Sequence, residues 1–106
     1  MGLSVSVRHD GAGGARVSVA GDVDLATVGQ LDRDIETAVD ADQTTSIVVD
    51  LAEVAFLDSS GIASLLKGRR LADGLGKPYQ VTGATGLVRE VLDLTGVWAH
   101  LSDPSI

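Results

Sequence analysis

The fold of this 106-residue chain is decided by two neighbouring segments, Ile47-Val48-Val49-Asp50-Leu51 and, a few residues later, Phe56-Leu57-Asp58-Ser59-Ser60-Gly61-Ile62. The apolar run 47–49 is short and uninterrupted, which is typical of a central strand buried on both faces. Asp and Ser, the residue types at 58–60, are preferred at the start of a helix. Apolar residues then recur at helical spacing up to Leu71. We therefore predict a buried strand, a connection over 50–57 and an amphipathic helix.

Strands are also predicted towards both ends of the chain. Apolar and polar residues alternate over 3–8 and again over 16–20, and the Gly-rich segment between them favours a hairpin. Residues 79–82 and 97–101 are predicted to form two further short strands. Together with the run 47–49, this gives about five strands.

Helices are predicted between the later strands. Thr27 and Gln30 have the spacing of a capping box at the start of a first helix. Thr85 and Gly96 mark the start and the end of a last helix. Strands that alternate with helices after a hairpin predict an α/β fold, with a mixed, mainly parallel sheet of about five strands and packed helices. We predict a single domain over residues 1–106, with an ordered core of about 3–101.

The composition narrows the classes of function. A net charge of −7 opposes a nucleic-acid partner, which calls for a basic face. The chain has no Cys, and His9 and His100 lie at opposite ends of the sequence, so we predict neither a metal nor a cofactor. No apolar run reaches the length of a membrane span, and the N-terminus lacks the pattern of a signal peptide. We expect a cytoplasmic protein without a membrane or nucleic-acid partner.

The segment Asp58-Ser59-Ser60-Gly61 has a structural and a functional explanation. Structurally, Asp and Ser cap helices and Gly permits a tight entry. Functionally, a helix N-terminus favours an anion, because free N–H groups and the helix dipole both point at it. A phosphate on Ser59 or Ser60 would be tolerated by the fold, so phosphorylation would act on a partner rather than on folding.

Catalysis by this serine is a third explanation. The Gly-x-Ser-x-Gly motif of serine hydrolases is absent, and no His lies nearby in sequence to act as a base. The Gly-rich segment 11–14 also lacks the Lys-Ser/Thr ending of a phosphate-binding loop. We therefore predict no catalytic residues and no enzymatic activity.

Asp24 is a second position of interest. Thr27 already has the capping position of the first helix, which leaves Asp24 without an evident capping role. Either it is a solvated loop carboxylate, or it lies at one edge of the sheet beside the segment 58–61, which we call the Ser59 loop. Ligand sites in open α/β sheets form at such strand ends.

Several ordered segments resemble the STAS domains, and among them the stand-alone bacterial anti-sigma factor antagonists. Gly21-Asp22-Val23-Asp24 is similar to the segment that follows the second strand of that family. Val48-Val49-Asp50-Leu51 and Phe56-Leu57-Asp58-Ser59-Ser60-Gly61-Ile62 resemble its central strand and phosphorylation loop. Leu92-Asp93-Leu94-Thr95-Gly96-Val97 resembles its last helix and turn.

The resemblance implies roles for individual residues. Ser59 matches the serine that the family's kinase phosphorylates, and Ser60 is a secondary candidate. Asp24 and Asp58 match acidic positions that contact partners or affect phosphorylation. The implied partner-binding residues are Asp24, Asp58, Ser59, Ser60 and Gly61.

The resemblance also implies a mechanism, which is partner switching. The unphosphorylated protein would bind an anti-sigma factor with serine kinase activity and free the sigma factor. Phosphorylation of Ser59 would abolish that binding, and a serine/threonine phosphatase would restore it. The alternative is a constitutive STAS interaction subunit of a transporter or of a stress-sensing complex. We expect a monomer or a weak dimer.

Overall fold

The alternation at the start of the chain forms an antiparallel hairpin of β1 (Leu3–His9) and β2 (Gly14–Val23). The structure is a computed structural model that describes residues 2–103, so Met1 and residues 104–106 of the predicted domain lie outside the described residues. The Asp10 carboxylate accepts hydrogen bonds from the backbone N–H groups of Ala12 and Gly14 and so closes the turn.

The sheet has four strands in the order β1-β2-β3-β4. Strands β3 (Ser46–Leu57) and β4 (Tyr79–Thr82) run parallel to each other, and β3 runs parallel to β2. The α/β class and the mixed, mainly parallel sheet are confirmed, although the number of strands is one lower than predicted.

The predicted strand over 97–101 is wrong, because these residues belong to helix α4 (Trp98–Ser102) and the residue before it. The apolar residues Val97, Trp98 and Leu101 are spaced three and four apart, which suits one face of a helix as well as it suits a strand. Leu101 is fully buried in the core. Arg89 places its guanidinium carbon 4.4 Å from the centroid of the Trp98 ring and so holds α4 against the preceding helix.

Strand β3 differs from the prediction in length and in burial. It continues through 50–57, which we expected to be a connection. Along the strand, Ile47, Val49 and Leu51 are buried while the residues between them are only partly buried, so one face of β3 carries the core rather than both. Asp50 interrupts the apolar run because its side chain lies on the outer face, where it pairs with Arg16 at 2.7 Å.

Three longer helices follow the strands: α1 (Val28–Asp40), α2 (Ser59–Gly74) and α3 (Gly86–Leu94). Helices α1 and α2 pack against each other and against the sheet, and α3 packs against β3. Their buried side chains form one core with those of the strands, including Leu31, Ile35, Leu65, Val88 and Leu92. None of the helices described over residues 2–103 is long and apolar enough to cross a membrane.

Gly68 lies in the middle of α2 at a point of close contact. A Cβ atom there would lie 2.7 Å from Cγ2 of Ile35 and 2.7 Å from the hydroxyl oxygen of Tyr79. The Tyr79 hydroxyl donates to the carbonyl of Leu65 at 2.9 Å, one turn earlier on the same helix. Glycine lowers helix propensity, but at this position it allows α2 to pack closely against both α1 and β4.

Candidate partner-binding site

The carboxyl ends of β2 and β3 lie side by side and bring two acidic residues together. Val23 and Leu57 are paired in the parallel ladder. The backbone N–H of Asp58 donates to the carbonyl of Val23 at 3.3 Å. Asp24 and Asp58 directly follow these two paired residues, so the loops that begin at Asp24 and Asp58 lie side by side at the carboxyl ends of the two strands. Of the two explanations given for Asp24, this is the position beside the Ser59 loop.

Asp58 caps helix α2. Its Oδ1 atom accepts hydrogen bonds from the backbone N–H groups of Ser60 at 2.9 Å and Gly61 at 3.3 Å, and also from the Ser60 hydroxyl. These donors stabilise the ionised carboxylate. The Ser60 hydroxyl and the two backbone N–H groups therefore hold the pKa of Asp58 below its usual value.

The two serines of the loop have different environments. The Ser60 side chain is half-buried, and its hydroxyl donates to Asp58. The Ser59 side chain is exposed at the first position of α2, and its hydroxyl makes no hydrogen bond within the described part of the chain. Of the two hydroxyls, that of Ser59 is therefore the more accessible to a phosphoryl donor.

Gly61 is buried and makes a close contact with the strand ends. A Cβ atom at this position would lie 2.3 Å from Cδ1 of Leu57 and 2.8 Å from Cγ1 of Val23. A side chain here would therefore push the first turn of α2 away from the sheet. This geometry gives Gly61 a role in positioning the loop.

Asp24 has a structural role that the sequence did not reveal. Its Oδ1 atom accepts from the N–H groups of Ala26 at 2.9 Å and Thr27 at 3.2 Å. The Thr27 hydroxyl accepts from the Asp24 N–H at 3.0 Å and donates to the carbonyl of Asp22 at 2.8 Å. The predicted capping box of Thr27 and Gln30 is therefore wrong, because the Thr27 side chain closes the turn before α1 and makes no capping bond.

A groove of about 260 Å³ lies between α1 and α2 and begins beside the Ser59 loop. Asp32 on one wall accepts a hydrogen bond from the Ser64 hydroxyl on the other. Lys67 and Arg70 are exposed, and neither makes an ion pair within residues 2–103. The groove is lined by Val28, Asp32, Ser60, Ala63, Ser64, Lys67 and Arg70.

The positions of the histidines bear on catalysis by Ser59. His9 pairs with Ala15 near the start of β2, whereas Leu57 pairs with Val23 at the end of that strand. The backbone carbonyl of His100 accepts from Arg69, about 15 Å along α2 from Ser59. Neither imidazole is therefore in position to act as a base for Ser59. Among residues 2–103, no group of His, Asp and Glu side chains is arranged to hold a metal ion.

Comparison with known proteins assigns the chain to a family. The family described as Mlab, STAS domain, matches residues 6–101, which is nearly the whole chain. This chain belongs to the STAS domain family. No curated protein matches its sequence.

Solved structures share the fold of this STAS domain. An anti-sigma factor antagonist from Mycobacterium paratuberculosis is 30% identical with a TM-score of 0.81, and the match covers 94% of this chain and 83% of that one. The Bacillus cell fate determinant SpoIIAA in its phosphorylated form is 18% identical with a TM-score of 0.73, covering 97% and 92%. The murine anion transporter Slc26a9 is 20% identical with a TM-score of 0.72, covering 90% of this chain and 17% of the transporter.

Four residues of this STAS domain, two close to the Ser59 loop and two further along α2, escaped the sequence reasoning. Leu25 is 82% exposed in the loop after β2, and Phe56 is 49% exposed at the end of β3. Lys67 and Arg70 lie in the adjacent groove. An apolar or basic residue gives no signal of its own in a single sequence, because its exposure depends on the tertiary packing. Such exposed apolar side chains are candidate contacts for a protein partner.

Proposed function

We propose that this STAS domain is an anti-sigma factor antagonist whose binding to its partner is controlled by phosphorylation of Ser59. The observation that carries the proposal is the difference between the two serine hydroxyls of the loop. The Ser60 hydroxyl is bonded to Asp58, while the Ser59 hydroxyl is exposed at the start of α2. The proposal places the protein in the cytoplasm, where sigma factors act.

The unphosphorylated form would bind an anti-sigma factor with serine kinase activity and so release the sigma factor. The kinase would supply ATP, and the Ser59 oxygen would attack the γ-phosphorus. The bond to ADP would break as the bond to Ser59 forms, and the hydroxyl proton would leave to a base of the kinase or to water. A serine/threonine phosphatase would hydrolyse the phosphoserine and restore the hydroxyl.

Electrostatics gives the phosphate a direct effect on binding. A phosphate adds about 1.5 to 2 negative charges at pH 7. Ser59 lies next to Asp58, and Asp24 follows the neighbouring strand. Placing this charge in an interface shaped for a hydroxyl is costly. A loss of about 4 kcal/mol lowers affinity by roughly a thousandfold, which is enough to separate the two proteins.

The solved structures support this proposal in two ways. The neighbour at 30% identity is an anti-sigma factor antagonist. Phosphorylated SpoIIAA has the same fold as this chain, which agrees with a phosphate that leaves the fold in place. In this proposal, the groove between α1 and α2 would offer Lys67 and Arg70 to an acidic segment of the partner.

A constitutive STAS interaction subunit is the second candidate function. It is favoured by the family description, which is Mlab, and by the transporter of which a STAS-like part matches this chain. Such a subunit would stay bound to a transporter or stress-sensing complex whatever the state of Ser59. The two functions therefore differ in whether modification of Ser59 changes binding.

The test is intact-mass spectrometry after co-expression with each candidate kinase, using the wild type, Ser59→Ala and Ser60→Ala. We expect one added phosphate on the wild type and on Ser60→Ala, and none on Ser59→Ala. Binding of the kinase is then compared before and after phosphorylation, and it should weaken.

Either of two results would contradict the proposal. Phosphate lost only in Ser60→Ala would move the modification to the second serine. Stable binding of a partner by wild type and Ser59→Ala alike, with no phosphate from any kinase, would favour the constitutive subunit.

A further inference from the structure

Strand β1 forms one end of the described sheet, so one of its edges has no strand beside it. The ladder with β2 fixes which backbone groups face that edge. Asp10 donates to the carbonyl of Gly14, and Asp22 donates to that of Gly2. In an antiparallel pair, hydrogen-bonded residues alternate with residues whose N–H and C=O groups face outward. Since the register pairs Ser6 with Ser18, the odd-numbered residues Leu3, Val5, Val7 and His9 present their backbone groups to the open edge.

This edge carries few of the features that usually protect an edge strand. Proteins block such edges with proline, charged side chains (lysine especially), inward-pointing charges or a bulge. The strand is seven residues long and reads LSVSVRH, with no Pro, no Lys and no acidic residue, and Arg8 near its end is its one Lys or Arg. Its core-side residues are incompletely covered, since Val7 is 38% exposed. The register with β2 is regular throughout.

We infer that β1 is a dimerisation edge, where a second copy of this chain adds its own β1 in antiparallel orientation. With the two-fold axis at Ser6, the outward groups of Val5 face those of Val7 of the partner copy. The valines then meet on the core side, and the polar side chains meet on the outer side. The two sheets would join into one sheet, and the interface would be isologous.

Charge favours a second copy as the occupant. In this register Arg8 lies opposite Ser4 of the partner copy, so no like charges face each other across the new pair. The strand carries no acidic residue in a chain whose net charge is −7, so the edge is a place where two copies approach with little repulsion. Repulsion between the remaining charges keeps the dimer weak and makes it tighter as salt increases.

Cysteine cross-linking of the full chain tests this register directly. The chain has no Cys, so a single introduced thiol reacts only with its copy. Ser6→Cys places two thiols opposite each other in a non-hydrogen-bonded pair, with the Cα atoms about 4.5 Å apart, which a disulfide can span. Ser4→Cys is the matched control, because it is exposed on the same face of β1 but is separated from its copy by about four residues, or 13 Å. With oxidised glutathione, Ser6→Cys should form a covalent dimer and Ser4→Cys should stay monomeric.

Sedimentation velocity over a range of protein and salt concentrations tests the association without a cross-link. Val7→Pro removes an outward N–H without removing a bond to β2, and Val7→Lys adds a charge at the edge and keeps the backbone. Both should raise the dimer dissociation constant by about tenfold or more, while circular dichroism reports whether each variant is folded. Equal cross-linking of Ser4→Cys and Ser6→Cys, or a wild type that stays monomeric at millimolar concentration and high salt, would overturn the inference. Neither readout uses a kinase or depends on Ser59. The dimerisation inference can therefore fail while the proposed function holds, and the reverse is also true.

Discussion

At Asp58, one carboxylate oxygen receives hydrogen bonds from two backbone N–H groups and from the Ser60 hydroxyl. The helix cap therefore uses one serine of the pair and leaves the other exposed. The start of the capped helix could be placed from the sequence, because Asp and Ser are strong capping types at that position. Which serine is bonded depends on side-chain geometry, and no single-sequence pattern reports that.

The cap makes a prediction about acid stability. The pKa of Asp58 is held below its usual 3.8 in the folded protein, first by the Ser60 hydroxyl. The carboxylate therefore stabilises the fold above pH 3.8, and that contribution is lost as the pH falls through the lower, folded pKa. Asp58→Asn should melt at a lower temperature than the wild type at pH 7, and the difference should shrink as the wild-type carboxylate becomes protonated.

Thermal melts followed by circular dichroism from pH 7 downward would measure this difference. Asp42→Asn is a suitable control, because Asp42 is exposed and its side chain makes no hydrogen bond within the described residues. A gap between Asp58→Asn and the wild type that stays constant into acid would mean that the charge of Asp58 does not stabilise the helix.

At the scale of elements, β3 and α4 are two places where the secondary structure differs from the sequence prediction. The register of β3 against β2 slips between Ser18 and Ala20 and again between Gly21 and Asp22. Buried positions on β3 are therefore two apart up to Leu51 and three apart afterwards, so period-two alternation is lost. In α4, five residues are too few for periodicity to separate a helix from a strand.

Two glycines of helix α2, Gly68 and Gly74, should differ in how their replacement by alanine affects the stability of the protein. Gly68→Ala should destabilise the protein by about 1 to 3 kcal/mol, because the new methyl group would press on Ile35 and Tyr79. Gly74→Ala is the matched control in the same helix, where a Cβ atom would meet nothing within 4 Å. It should range from no effect to a gain of about 1 kcal/mol. Urea unfolding would measure both, and equal effects at the two sites would contradict the close contact.

At the scale of the whole molecule, the two surfaces argued for lie on different parts of one sheet. The Ser59 loop lies at the carboxyl ends of β2 and β3, and the open edge lies along β1. A dimer joined through β1 would leave both Ser59 loops available to partners. Association and switching would then be independent, and each could be abolished by substitution without affecting the other.

A phosphate on Ser59 should leave the whole fold intact. Ser59 is exposed at the helix N-terminus, where negative charge is favourable. The melting temperature of phosphorylated protein should equal that of the unmodified protein or be slightly higher, while affinity for the proposed anti-sigma factor partner should fall by roughly a thousandfold. Melts and binding titrations on the same two samples would measure this, with Ser59→Ala treated identically. A clear drop in melting temperature would mean that the phosphate acts by loosening the domain.

The packing of Arg89 over Trp98 gives the molecule a built-in optical probe. Trp98 is the chain's single tryptophan, and it lies where α3 and α4 meet. Its fluorescence therefore reports on the packing of α4 against the rest of the domain. Helix α4 contacts α2 near Arg69, far from the end of α2 that carries Ser59. A partner that binds only the Ser59 loop should leave the Trp98 fluorescence unchanged. A change in its intensity or colour on binding would reveal contact with, or movement of, the far side of the domain without any attached dye.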